Sequence, residues 1–167
     1  MRRNCEFYAY LILTCAYAIS LFFLSSKSSL PQSMLASELI QNVKHLVEVI
    51  GFTPLIIFSN FTISNFDKVA HAFLYFIFEI LVFLMLKNSK LARFSVPLAI
   101  LVVLLYGLTD EFHQYFVPGR DASVFDFAAD CIGIAIAQLI LMLRTRWKIY
   151  KDHEISRAQH FLLRKNH

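Results

Sequence analysis

The chain of 167 residues is poor in charge, glycine, proline and cysteine. Charged residues make up 17% of it, against about 25% in a soluble domain. Four glycines and four prolines, beside seventeen Phe and seven Tyr, exclude a collagen-like or disordered chain. Three cysteines (Cys5, Cys15 and Cys131), odd in number and without repeated spacing, exclude a disulfide framework and a zinc knuckle. Two of them lie within apolar runs, where a cysteine behaves as a small hydrophobe. The net charge of +4 comes without a basic patch interleaved with aromatics, so nucleic acid is not an expected partner. HExxH, a Gly-rich phosphate cradle and a nucleophile elbow are absent, as are internal repeats. No metal and no cofactor is therefore expected.

What the chain has in excess is apolar sequence: 57% of its residues, collected in long runs, with a mean hydropathy of +0.56. Four runs approach the roughly 20 residues that carry a helix across a bilayer. They cover residues 7–24, 69–86, 94–117 and 124–143. The expected fold is all-α and polytopic, a bundle of four transmembrane helices with an amphipathic helix on the outer surface. One membrane domain over 1–146 and a basic cytoplasmic tail over 147–167 account for the length. Arg2 and Arg3 before the first run suggest a signal peptide. Its apolar stretch exceeds the roughly 7–15 residues of a cleaved core, so an uncleaved anchor is expected.

Positive charge sets the orientation. With the N-terminus inside, Arg2, Arg3, Lys87, Lys90, Arg93, Arg144, Arg146, Lys148, Lys151, Arg157, Arg164 and Lys165 face the cytoplasm, twelve of the sixteen Lys and Arg. Lys27, Lys44, Lys68 and Arg120 face out. The expectation is a multi-pass membrane protein with both termini in the cytoplasm, in contact with membrane lipids. In the outer loop, Leu35, Leu39, Val43, Leu46 and Ile50 recur at helical spacing before Gly51, which predicts an amphipathic helix over 33–50. The run from Phe52 to Ile63, broken by Pro54, is too short to span and reads as re-entrant or interfacial.

Function must come from the few polar residues in this apolar setting. Five of the twelve acids fall between Asp110 and Asp130. Acids within spans are functional candidates and face the bundle interior or water. In the second span Asp67, His71, Tyr75 and Glu79 recur every four residues and form one slowly drifting stripe. In the third, Asp110, His113 and Gln114 share a face, and Glu111 neighbours Gln114. In the fourth, Asp126 and Asp130 stand one turn apart. The turn Pro118-Gly119-Arg120-Asp121-Ala122 joins the last two spans as an antiparallel hairpin. Three helix ends thus converge on one outward-facing pocket.

Structural readings stand beside these. Ser123-Val124-Phe125-Asp126 and Ser64-Asn65-Phe66-Asp67 both fit a capping box. Asp110 and Asp130 cannot be caps, but they could hydrogen-bond between helices. Arg120 neutralises carboxylates or meets lipid phosphate, His113 packs at the interface, and Gly133 lets helices approach closely. Glu79 is either a core acid or a deep member of the site.

The residues also resemble a known family. Ser25-Ser26 after the first span, Asp67-Lys68-Val69-Ala70-His71 with Tyr75, and the ungapped block from Asp110 through Ser123 to Asp126, Asp130 and Gly133 are similar to the VanZ-like family. That family takes its name from a bacterial protein linked to teicoplanin resistance. The resemblance implies a short multi-spanning envelope protein of a bacterial cytoplasmic membrane. Its pattern falls on Asp67, His71, Tyr75, Asp110, Glu111, Gln114, Pro118, Gly119, Arg120, Ser123, Asp126, Asp130 and Gly133. Members often carry Asn at the position of Asp130, and Glu79 lies outside the pattern.

Three functions remain open on these residues. In the first, the pocket binds a lipid-linked or wall-precursor headgroup, with Arg120 on phosphate, and affects glycopeptide susceptibility. The second is a membrane hydrolase or group transferase, with His71 as base or ligand and Asp110 and Glu111 as an acid–base pair. The third is a proton-coupled transporter with Glu79 as relay.

Overall fold

Apolar helices of about twenty residues suit a bilayer because every backbone polar group is bonded within its own helix. A computed structural model describes residues 2–26, 65–120 and 122–165, together with 42, 45, 46 and 48–50. The main elements are α1 (Arg2–Ser25), α2 (Phe66–Lys87), a 3-10 turn (Ala92–Phe94), α3 (Ser95–Gln114) and α4 (Val124–Lys165), with no strand among the described residues. All four helices are long and apolar enough to span, over Asn4–Ser25, Phe66–Lys87, Ala92–Gln114 and Val124–Arg157.

Two boundaries differ from the sequence reading. The third span stops at Gln114, not at residue 117, because Pro118 disfavours helical backbone before it. Tyr115 to Arg120 make successive tight turns instead, with Gly119 at φ 81°. The fourth helix runs past 143 to Lys165, since no glycine or proline follows Gly133 to stop it. At about 1.5 Å per residue its 42 residues reach about 63 Å, twice a bilayer's hydrocarbon thickness. Residues 42, 45, 46 and 48–50 are helical, as the outer-loop reading expects. The rest of that helix, the 52–63 segment and Asp121 lie outside the described residues.

Helix α2 is central. It packs most extensively on α4, then on α1 and α3. A core of Leu21, Tyr75, Phe78, Val82, Phe83, Leu86, Ala99, Val103 and Ile134 fills the space between them. Large apolar side chains such as Ile12, Phe23, Leu105 and Leu139 point outward, which a lipid solvent permits. Helix α1 is pinned by two tyrosines, Tyr17 Oη donating to Leu74 O at 3.0 Å and Tyr106 Oη to Ala18 O at 2.6 Å.

The α2–α4 seam positions the site. These helices run parallel, and two polar pairs bridge them at the same sequence offset of 59 residues: His71 with Asp130, and Glu79 with Gln138. Between the pairs lies Gly133, where a Cβ would stand 2.1 Å from the carbonyl oxygen of Ala72. No rotamer relieves a clash with backbone, so only glycine allows this approach.

Candidate functional site

The site forms where α2 and α4 begin and α1 and α3 end. The four-residue stripe of α2 turns His71 and Tyr75 inward, their rings almost parallel at 7°. Asp130 of α4 meets His71 with Oδ1 at 3.0 Å from Nδ1, and both residues are buried. From α3, Asp110 accepts a hydrogen bond from Gln114 Nε2 at 3.2 Å. Glu111 accepts one from the backbone N–H of Ser123 at 2.8 Å. Lys68 Nζ stands 3.5 Å from Asp126 Oδ1, and Arg120 Nη1 stands 4.0 Å from Asp67 Oδ1. Five carboxylates (Asp67, Asp110, Glu111, Asp126 and Asp130) thus gather around Lys68, His71 and Arg120.

Within this end lies a small cavity of about 30 Å³. Its polar lining is Ser25, Asp67, His71, Tyr75, Asp110, Gln114 and Arg120; its apolar lining includes Leu21, Leu24 and Leu74. The half-buried guanidinium of Arg120 is drawn in over the cavity, with its side chain 12% exposed. One atom each of His71, Glu111 and Asp130 also lie within 4.8 Å of one another, close enough for three ligands of one small ion. Gly107 leaves room beneath: a Cβ there would touch Tyr75 and Asp130 Oδ2 at 3.3 and 3.4 Å.

Not every expected role holds. In a capping box at α4, the Asp126 carboxylate would take the Ser123 N–H. Glu111, arriving from α3, takes it instead, and Asp126 turns to Lys68. At α2 the N-cap is Asn65, which makes no side-chain cap hydrogen bond. His113 leaves the face of Asp110 and Gln114 for the end of α1, where it contacts Ser26 Oγ at 3.0 Å and meets the Phe22 ring at a 31° tilt. Glu79 is fully buried but lies away from the cavity, about 12 Å along α2 from His71. It accepts a hydrogen bond from Gln138. The sequence reading overlooked Gln138, although it continues the four-residue spacing of Asp126, Asp130 and Ile134. Lys68 was legible as an outer charge but not as the partner of Asp126.

Comparison with curated proteins and with solved structures found no match. A family model described as VanZ/LLP1 matches residues 7–145, which take in part or all of each span and every residue of the site. The chain is a membrane-spanning member of the VanZ/LLP1 family.

Proposed function

We propose that this VanZ-like protein works in a bacterial cytoplasmic membrane, with both termini inside, and binds the headgroup of a lipid-linked or wall-precursor molecule in its outward-facing pocket. The observation that supports this best is the mixed lining of the cavity. Leu21, Leu24 and Leu74 give it apolar surface for a chain, beside the polar groups of His71, Tyr75, Asp110, Gln114 and Arg120. Such a lining suits an amphiphile rather than a free polar solute. Arg120 supplies a planar cation for phosphate, and the carboxylates accept hydrogen bonds from sugar hydroxyls or amines. A volume of about 30 Å³ takes about two water-sized groups, so phosphate oxygens fill it while the remaining headgroup sits at the mouth. Sequestering or masking a wall precursor there would change susceptibility to glycopeptides such as teicoplanin.

A second reading is favoured by one contact. Asp130 on Nδ1 of His71 leaves Nε2 to act as a base, the arrangement of a hydrolase or group transferase. Native mass spectrometry of the purified chain, beside an Asp110→Asn, Glu111→Gln variant, tests the headgroup reading. The expected result is a co-purifying anionic or isoprenoid lipid that the variant loses. A chain that carries no lipid, or a variant that keeps it, overturns the reading. Turnover of that lipid to a cleaved product, abolished in His71→Ala while the lipid still binds, would select the enzyme.

A further inference from the structure

We infer that the pocket holds one divalent transition-metal ion, of the Mn²⁺ or Zn²⁺ class, bound by His71, Glu111 and Asp130 from α2, α3 and α4. Three observations converge on this. The first is distance. One atom from each residue falls within a 4.8 Å group, and His71 Nδ1 stands 3.0 Å from Asp130 Oδ1. Two ligands at about 2.1 Å and a right angle on one ion stand about 3.0 Å apart. The third, from Glu111, closes from within 4.8 Å to about 3.0–3.4 Å, a side-chain shift of at most about 1.8 Å.

The second observation is an excess of buried acceptors. Asp130 is 0% exposed, yet its Oδ2 has no hydrogen-bond partner; Glu111 Oε1 and Gln114 Oε1 are buried and unpartnered too. A carboxylate or amide oxygen can only accept, so each of these oxygens needs a donor or a cation. The Tyr75 and Ser25 hydroxyls, also buried and without partners, are two donors against three acceptors. Leaving charged oxygens buried and uncompensated is costly anywhere and more so within a span.

The third is charge and donor type. Two carboxylates and a neutral imidazole bind a divalent ion with no net charge, which suits a membrane interior. One nitrogen with two oxygens is the donor set of zinc, manganese or iron(II); calcium and magnesium prefer oxygen alone. Three protein ligands leave coordination positions open, and His71 belongs both to the ligand set and to the cavity wall. A phosphate oxygen entering that cavity completes the coordination. No spacing along the chain announces the site, because its ligands come from three separate helices.

The inference rests on the headgroup reading only for what the ion would hold, and its test uses no lipid. An untagged, metal-stripped full chain in detergent is titrated calorimetrically with Mn²⁺ and, separately, with Zn²⁺. One saturable equivalent per chain is expected, weakened more than about tenfold in His71→Ala, Glu111→Gln and Asp130→Asn. Glu79→Gln, remote from the ligands, retains it. Absence of saturable binding, or unchanged binding in His71→Ala and Asp130→Asn, overturns the assignment. Because those changes also touch the α2–α4 seam, the unmutated chain is examined too. Pulsed electron paramagnetic resonance of its Mn²⁺ complex should show nitrogen coupling from one imidazole. Bound Mn²⁺ without that coupling overturns the site. Failure of either test leaves phosphate binding through Arg120 to be judged by its own experiment.

Discussion

The same two helices are bridged twice, by His71–Asp130 at one end and by Glu79–Gln138 deeper in the bundle, with the same offset of 59 residues. The surroundings differ. The deep pair sits beside Val82, Phe83 and Ile134 of the apolar core, and neither partner lines the cavity next to His71. The upper pair adjoins that cavity and is ringed by Asp67, Asp110, Glu111, Gln114 and Arg120. Unsatisfied oxygens do not separate them, since Glu79 Oε2 and Gln138 Oε1 are as unpartnered as Asp130 Oδ2, and Gln138 borders a cavity of its own with Phe83, Leu141 and Arg146. The deep pair brings one carboxylate to one amide and sets register between helices. The upper pair has a third ligand-bearing side chain, Glu111, within 4.8 Å. Burial alone does not separate the two, since Glu79 and Asp130 are both fully buried.

The largest expected effect removes the contrast altogether. Gly133→Ala drives a Cβ into the Ala72 carbonyl, parts α2 from α4 and breaks both pairs at once. Overpacking of this kind costs about 3 kcal/mol, and thermal unfolding in detergent should show the loss. A stability within experimental error of the parent would contradict the close approach.

Next comes the deep pair by itself. Gln138→Leu leaves Glu79 buried without its donor and should cost about 2 kcal/mol. Adding Glu79→Leu should restore most of that, because two apolar groups replace a pair that only holds helices together. Lipid retained on purification should be the same in both variants. The corresponding His71→Leu, Asp130→Leu double variant should also recover stability relative to His71→Leu, but lose the lipid. If lipid instead follows the deep pair, the two regions have been assigned the wrong way round.

Arg120→Ala separates binding from folding. The side chain lies over the cavity, so affinity for a phosphate headgroup should fall about tenfold, the loss of one charged hydrogen bond worth about 1.4 kcal/mol. Stability should move by less than about 0.5 kcal/mol. The smallest effect belongs to α1. Tyr106→Phe removes the bond to Ala18 O, and a hydrogen bond between transmembrane helices averages about 0.6 kcal/mol. Unfolding measured by tryptophan fluorescence of Trp147 would detect a larger loss.

Much of this was legible in the sequence, for identifiable reasons. Apolar runs of about twenty residues have few alternatives to spanning helices. The four-residue recurrence of Asp67, His71, Tyr75 and Glu79 put them on one side of α2 before any packing was known. Gly133 was expected where helices approach closely, and it lies against Ala72. Which acid would meet His71 was not legible. Asp110, Glu111, Asp126 and Asp130 all share its depth, and the choice of Asp130 follows from the α2–α4 register, which local spacing does not encode. The role of Glu111 at Ser123 was hidden for the same reason, because a local capping box offered a nearer partner. Gln138 went unread because the run after Asp130 is otherwise apolar, and one amide does not interrupt a span.

We propose that the cavity under Arg120, and not the deep pair, receives a phosphate headgroup. Calorimetric titration of a soluble short-chain isoprenoid phosphate into the unmutated chain, Arg120→Ala and Glu79→Gln decides between them. Saturable binding is expected in the unmutated chain, with equal binding in Glu79→Gln and a loss of about tenfold in Arg120→Ala. No saturable binding in the unmutated chain, or a loss in Glu79→Gln as large as in Arg120→Ala, would contradict it.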